Sequence, residues 1–284
     1  MKISELRKQQ YEHNIGGYPF IDDWKRNPYT FIKARFYMEI SAVLVYWFLK
    51  FNIKPNTITM LYISCGIVGG VLLAIPENIT IYIAIFIFVL LKTTLDNCDG
   101  HIARVTNRVS FTGGILDDYG ALINSLGFWT GLGFYLAHFS GMMIFYYLIP
   151  LLLFFFAADL YSYSSLQIVQ HAALRSKEIL SVNKSNLESV TRPKYRLMRG
   201  IIYIYEKFAN ILRESFPDDR ARTTDLVCLL IFLELNGGIF ISWIIFILFL
   251  LKKFILFTYS LYANINKSWA ERVAIKLFGD RPDF

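Results

Sequence analysis

From residue 55 onward, long apolar runs alternate with short polar breaks, after an opening 35 residues that are largely polar. Runs at 79–91, 141–158 and 239–251 contain no acidic or basic residue. Stretches of this kind read as membrane spans rather than as the core of a soluble domain. The breaks predict six spans. The first opens at Pro55, where proline suits an initial helical turn, and ends before Pro76. The second runs over 79–104, the third over 111–137, and the fourth over 142–166 with a polar continuation toward Arg175. A fifth covers 224–235, Asn236-Gly237-Gly238 turns the chain, and a sixth starts at Ile239 and ends before Asn264. The last pair has an alternative reading as one long tilted span over 226–251.

The aromatic, apolar stretch at 37–51 is too short to cross. About 14 helical residues reach ~21 Å, against ~30 Å of hydrocarbon. It is expected to lie as an amphipathic helix in the cytoplasmic interface, with its Tyr, Trp and Phe residues at headgroup level. Gly16-Gly17, Pro19 and Pro28 are expected to interrupt any long helix before it. The expected fold class is therefore an all-α integral membrane protein: a six-transmembrane-helix bundle with an N-terminal interfacial amphipathic helix. Its parts are a cytoplasmic segment at 1–35, a membrane domain at 36–265 and a cytoplasmic tail at 266–284. A cytoplasmic loop at 172–222 carries a helical stripe through Ile201, Ile202, Tyr205, Phe208, Ala209 and Leu212, read as packing against the membrane.

Charge distribution orients this arrangement. Of the 29 Lys and Arg residues, seven lie in the first 35 positions and eleven between Arg175 and Arg222, whereas the turns at 76–80, 138–141 and 236–238 carry none. That is the positive-inside pattern, and an even number of spans keeps both termini cytoplasmic. The same distribution explains the net charge of +7 without nucleic acid. A basic cytoplasmic face attracts anionic membrane lipids and phosphorylated substrates. Cys65, Cys98 and Cys228 are scattered and give neither a disulfide framework nor a zinc spacing. The Asn78-Ile79-Thr80 sequon carries no weight on its own. The first 35 residues lack the apolar core and cleavage site of a signal peptide.

The chemistry concentrates at 96–121. Asp96, Asp99 and Ala103 are spaced i, i+3, i+7 and share one helical face; Gly113, Asp117 and Ala121, spaced i, i+4, i+8, share another. A short basic loop at 105–112 makes the two helices antiparallel neighbours. Carboxylates inside a membrane segment are costly and mark function by default. Three of them form a hard, oxygen-only donor set suited to one or two Mg2+ or Mn2+ ions, with no His or Cys to favour zinc. The bland alternatives are end-of-helix charges for Asp96 and Asp99 and a helix-dipole pair for Asp117 and Asp118. Gly100, Ala103 and Gly113 leave room for a base or diphosphate to approach the backbone. Arg104 could hold phosphate by paired hydrogen bonds, and Ser110 and Thr112 offer hydroxyls. Asp159 and Glu234 sit in apolar surroundings, as cavity-lining or as structural acids. Arg192, Lys194, Arg196 and Arg199 read as a solvated or headgroup-facing surface. The histidines are too dispersed to form a ligand set.

This row resembles the signature of the CDP-alcohol phosphotransferases, D-x2-D-G-x2-A-R-x8-G-x3-D-x3-D. Asp96, Asp99, Gly100, Ala103, Arg104, Gly113 and Asp117 match at the correct spacing. The Pro55-Asn56-x-x-Thr59 entry and the six-helix layout are similar as well, so that the resemblance covers residues 36–260. It implies that a CDP-linked donor such as CDP-diacylglycerol presents its pyrophosphate to a divalent cation. An acceptor alcohol then attacks the phosphorus distal to cytidine, and CMP leaves. It implies that Asp96, Asp99 and Asp117 bind metal, that Gly100, Arg104 and Ser110 contact the CDP portion, and that Asn56 and Thr59 lie near the nucleotide.

The departure is Ala121, where the family carries the presumed general base. Three readings follow: a substitution that traps a substrate complex, a branch using another base such as Asp118, Tyr119, Asp159 or a metal-bound water, or a protein that binds metal and CDP-lipid without efficient turnover. A non-catalytic assembly subunit is the competing class. A transporter fits less well, because the acids sit at the cytoplasmic edge and not the midplane. The glycine-rich spans imply close helix contacts, within the chain or in a homodimer. The resemblance and the charge pattern together point to a bacterial or archaeal cell membrane with the active site facing the cytoplasm.

Overall fold

A computed structural model describes residues 2–15, 28–158, 211–212, 215–218 and 221–265. All regular structure among them is helical. The helices are α1 (Ile3–Ile15), α2 (Pro28–Lys50), α3 (Pro55–Ala74), α4 (Asn78–Val105), α5 (Phe111–Ser140), α6 (Ile144–Ala158), α7 (Ala221–Leu235) and α8 (Ser242–Ile265). Among the described residues, three stretches are long and apolar enough to cross a membrane: α3, α4 and the Ser242–Leu261 part of α8. Within α4 a π-helical turn occupies Ile87–Leu91.

Helix ends follow local chemistry. At the C-termini of α2, α4 and α7 the chain closes the same reversal. Ile53 N–H donates to Phe48 O (2.9 Å), Arg108 N–H to Ala103 O (2.8 Å) and Gly238 N–H to Leu233 O (2.8 Å). The residue that turns is left-handed each time: Asn52 at φ 53°, Asn107 at φ 53° and Gly237 at φ 88°. Asn and Gly are the residues that tolerate this conformation, and the turn satisfies carbonyls that the helix leaves over. The break at 236–241 removes the alternative of one span over 226–251. The 37–51 expectation requires a larger correction: α2 begins at Pro28 and is 23 residues long. Pro28 starts this helix instead of interrupting one, because a first-turn proline loses no intrahelical hydrogen bond. Ahead of it, α1 is helical where the sequence showed only a polar segment. Residues 16–27, Asp159, most of the 172–222 loop and the 266–284 tail lie outside the described residues.

The chain divides into two compact units, each with its own contacts. In the first, residues 1–149 and 219–246, α3 and α5 make the most extensive helix pair. A Cβ placed on Gly70 would lie 2.5 Å from Gly127 O, and one on Gly131 would lie 2.6 Å from Gly70 O. Gly127 is pressed equally against Gly66 O, and Gly66 against the backbone of Asn124. The two helices therefore touch backbone to backbone, an approach that only small residues permit. Asn124 locks the crossing, its Nδ2 donating to Tyr62 O and Gly120 O, both at 2.9 Å. Behind α4, Leu6, Val45, Ile58, Cys98 and Ile102 form a buried cluster from α1, α2, α3 and α4. α1 is pinned to α2 by Arg7–Glu39 (2.6 Å) and by Gln10 Nε2 donating to Ser41 Oγ (2.8 Å). Glu234 is buried and accepts from Ile241 N–H and Ser242 N–H (2.7 Å each), Ser242 Oγ (2.9 Å) and Tyr135 Oη (2.9 Å). It caps α8 and closes the α7–α8 hairpin, so it is a structural acid.

The second unit comprises residues 150–218 and 247–284. There Phe154 and Phe155 of α6 pack on Phe254 and Phe257 of α8. Lys253 Nζ lies 4.3 Å from the ring centre of Phe156 and 5.4 Å from that of Phe249. Lys252 Nζ donates to Ser215 O (2.7 Å) and Pro217 O (2.8 Å). The two lysines that interrupt the last apolar run are thus buried, one against rings and one on carbonyls of a non-helical segment. All three cysteines are free and buried.

Gly127→Ala is expected to lower stability by about 1–3 kcal/mol through overpacking against Gly66. Gly114→Ala, at a position with open space around it, should leave the melting temperature in detergent unchanged. Glu234→Ala should cost about 1.5–3 kcal/mol by stranding donors that now meet a carboxylate, and Tyr135→Phe about 1 kcal/mol; both are read from equilibrium unfolding.

Candidate active site

α4 and α5 supply the facing elements of the site, and α3 closes it. The turn at Asn107 reverses α4 within a few residues, and Ser110 starts α5 as its N-cap, with its Oγ accepting from Gly113 N–H (3.0 Å). A serine oxygen at this position satisfies one of the donors a helix start leaves over. The result is an open cavity of about 460 Å³ among the three helix ends. Pro55, Asn56 and Thr59 line it from α3. Asp99, Gly100, Ala103 and Arg104 line it from α4. Arg108, Val109 and Ser110 belong to the connection, and Gly113, Gly114 and Asp117 to α5.

Nine of the residues singled out in the sequence meet in this cavity: Asn56, Thr59, Asp99, Gly100, Ala103, Arg104, Ser110, Gly113 and Asp117. Asp99 is buried. Its Oδ2 accepts from Thr59 Oγ1 at 2.8 Å, and its Oδ1 accepts from Gly100 N–H. Thr59 Oγ1 also approaches Pro55 O at 3.3 Å. Asp117 is exposed. It is the seventh residue of α5, beyond the first turn where the helix dipole acts, so the dipole-pair reading of Asp117 and Asp118 loses its basis.

Asp96 and Ala121 do not line the cavity. Asp96 lies one turn deeper along α4. Ala121 lies one turn beyond Asp117 on α5 and is exposed. Asp118 and Thr112 are also absent from the lining. His101 is buried away from the cavity.

The donor chemistry of the three aspartates suits a hard divalent cation. Their arrangement is another matter: among the described residues, no three His, Cys, Asp or Glu side chains converge closely enough to hold a metal ion. Thr59 and Gly100 hold Asp99 in an orientation set by α3 and the local backbone.

Three participants were missed in the sequence. Arg108 adds a second guanidinium at the cavity, and Gly114 extends the open α5 start. Tyr62 lies three residues after Thr59 on the same helix. Its spacing from Thr59 was the available signal, but only the α3–α4 pairing gives that spacing meaning.

No curated protein matches the chain. The model of the CDP-alcohol phosphatidyltransferase family matches residues 52–172, a stretch that begins at the turn before α3 and contains every residue lining the cavity. Over that stretch the chain is similar to the CDP-alcohol phosphatidyltransferases.

Proposed function

We propose that this chain transfers a phosphoalcohol or phosphatidyl group from a CDP-linked donor to an acceptor alcohol, with release of CMP, in phospholipid or related polyol-phosphate synthesis. The single observation that carries this reading is the gathering of Asn56, Thr59, Asp99, Arg104, Ser110 and Asp117 around one open cavity. Arg104 and Arg108 bring two guanidinium groups to a site for a diphosphate, a geometry suited to paired hydrogen bonds. The start of α5 borders the same space and favours an anion through its backbone N–H groups and dipole. Gly100 and Gly113 keep the walls low enough for a nucleotide to reach the backbone.

In the transfer, the acceptor oxygen forms a new bond to the phosphorus distal to cytidine. The bond from that phosphorus to the CMP phosphate breaks, CMP leaves with the electron pair, and the hydroxyl proton goes to a base. The family is generally dependent on a divalent metal. Asp96, Asp99 and Asp117 supply the oxygen donors that would suit Mg2+ or Mn2+, and such an ion would neutralise charge on the diphosphate. The membrane reading extends from three spans to six by including α5, α6 and α7. At 30 residues α5 is long enough to cross, with glycines and Asn124 lowering its hydropathy. The basic segments orient the cavity and both termini toward the cytoplasm, in a bacterial or archaeal cell membrane. Membrane lipids surround the bundle, and a homodimer is its expected assembly.

Ala121 favours a second reading, a family member that binds the donor with little turnover. A methyl group takes no proton, and losing a general base costs about 10²–10⁴ in rate. Asp118 lies outside the cavity lining and does not replace it.

Both readings are tested by supplying CDP-diacylglycerol, a panel of alcohols and Mg2+ or Mn2+, and following CMP. Ala121→Asp is expected to raise CMP release by about 10²–10⁴. Turnover confined to that variant selects the second reading, and no CMP from either chain with any acceptor overturns the first. Arg104→Ala should raise the KM for the CDP donor about tenfold or more, the loss of a charge-assisted hydrogen bond, with little change in melting temperature.

A further inference from the structure

α3 and α4 are antiparallel, joined by a short turn at 75–77. Thr59 of α3 meets Asp99 of α4. Three residues later on α3, that antiparallel register places Tyr62 alongside Asp96, three residues earlier on α4. The match of i, i+3 steps on two antiparallel helices is what places one hydroxyl opposite each motif acid. Tyr62 has little freedom to do otherwise. It is 2% exposed. Its ring covers Gly120, where a Cβ would lie 2.6 Å from Cε1 and 2.7 Å from Cδ1. Its carbonyl is tied to Asn124 of α5. The ring is thus clamped between α3 and α5, on the side of the bundle where α4 carries Asp96.

We propose that Tyr62 is the positioning residue for Asp96, completing with Thr59 a pair of hydroxyl donors on α3 that set both acids of the α4 motif. This rests on the reaction proposed above and deepens it. Tyr62 acts through Asp96 and touches no substrate. Where the family's fourth acid is replaced by Ala121, Asp96 is the carboxylate at this depth, and Tyr62 supplies its hydrogen bond. A phenol buried in this way fixes the carboxylate's rotamer more firmly than water would, because both ends of the tyrosine are held by different helices.

The test is a double-mutant cycle of Tyr62→Phe and Asp96→Asn in the full-length protein. It is read by melting temperature in detergent and by kcat and KM for CMP release, in the Ala121→Asp background if that background is needed for rate. Tyr62→Phe is expected to lower kcat about tenfold, about what one hydrogen bond to a charged group contributes, with donor KM within twofold. The double variant should melt and turn over like Asp96→Asn alone. Tyr135→Phe, which removes a hydroxyl from the structural Glu234 pair, should leave kcat unchanged. Additive melting shifts, or an unchanged kcat in Tyr62→Phe, overturn the proposal. If no background releases CMP, the proposed reaction fails, and the melting cycle alone still decides whether Tyr62 and Asp96 are coupled. Where Tyr62→Phe does not fold, Tyr62→His keeps a ring and an N–H donor: melting shifts non-additive with Asp96→Asn support the role, and additive shifts overturn it.

Discussion

Contact between the backbones of α3 and α5 is the constraint from which the site follows. In lipid, apolar side chains gain little by meeting each other, so helices associate through close packing and internal hydrogen bonds. Gly66 and Gly70 on one helix and Gly127 and Gly131 on the other bring the carbonyls of each against the α-carbons of its partner. Asn124 adds hydrogen bonds at the same crossing. A side chain at any of these positions would push the axes apart. The separation of Asp117 from Thr59 and Asp99 would grow with it, because one rigid helix carries Asp117 and the other carries Thr59.

That crossing, combined with the antiparallel pairing of α3 and α4, sorts the polar residues into two levels. The outer level contains Thr59, Asp99 and Asp117, and all three line the cavity. The inner level contains Tyr62, Asp96 and Ala121, one helical turn deeper. Rigidity comes from the back of the bundle. Cys98 and Ile102 of α4 face Leu6, Val45 and Ile58, so the motif helix is packed on one face and polar on the other. The N-terminal helix α1 contributes to that backing, which gives a segment of polar composition a place beneath the acids.

Much of this was legible in the sequence where the determinant is local. Pro55 marks the start of α3, and Asn236-Gly237-Gly238 marks a reversal, because proline and glycine act through their own dihedral angles. The spacing of Asp96, Asp99, Gly113 and Asp117 gave two helical faces, because helical periodicity is also local. What could not be read depends on contacts between distant residues. Tyr62 looks like one more apolar-span aromatic until α4 is laid beside it. Arg108 reads as loop charge until the Asn107 turn brings it over the cavity. Pro28 looks like a breaker, and only the structure shows that the helix begins there. The sequence left Glu234 open between cavity and framework; its four donors come from α5 and from the residues after the 236–238 turn.

Glu234 also sharpens the rule that an acid in a membrane segment signals function. Its two oxygens accept four hydrogen bonds, three of them from the start of α8. That exhausts the strong acceptor capacity of a carboxylate. Lys252, likewise within an apolar run, is committed to two backbone carbonyls. Both buried charges have become parts of the framework. Asp99 and Asp117 differ in kind. Asp99 is held by a side-chain hydroxyl and its neighbouring backbone N–H, and Asp117 is exposed at the same cavity. A carboxylate that already accepts four hydrogen bonds has little left to offer a ligand, whereas Asp99, with one hydroxyl and one backbone N–H, keeps acceptor capacity. What the carboxylate oxygens already accept therefore separates Glu234 from Asp99.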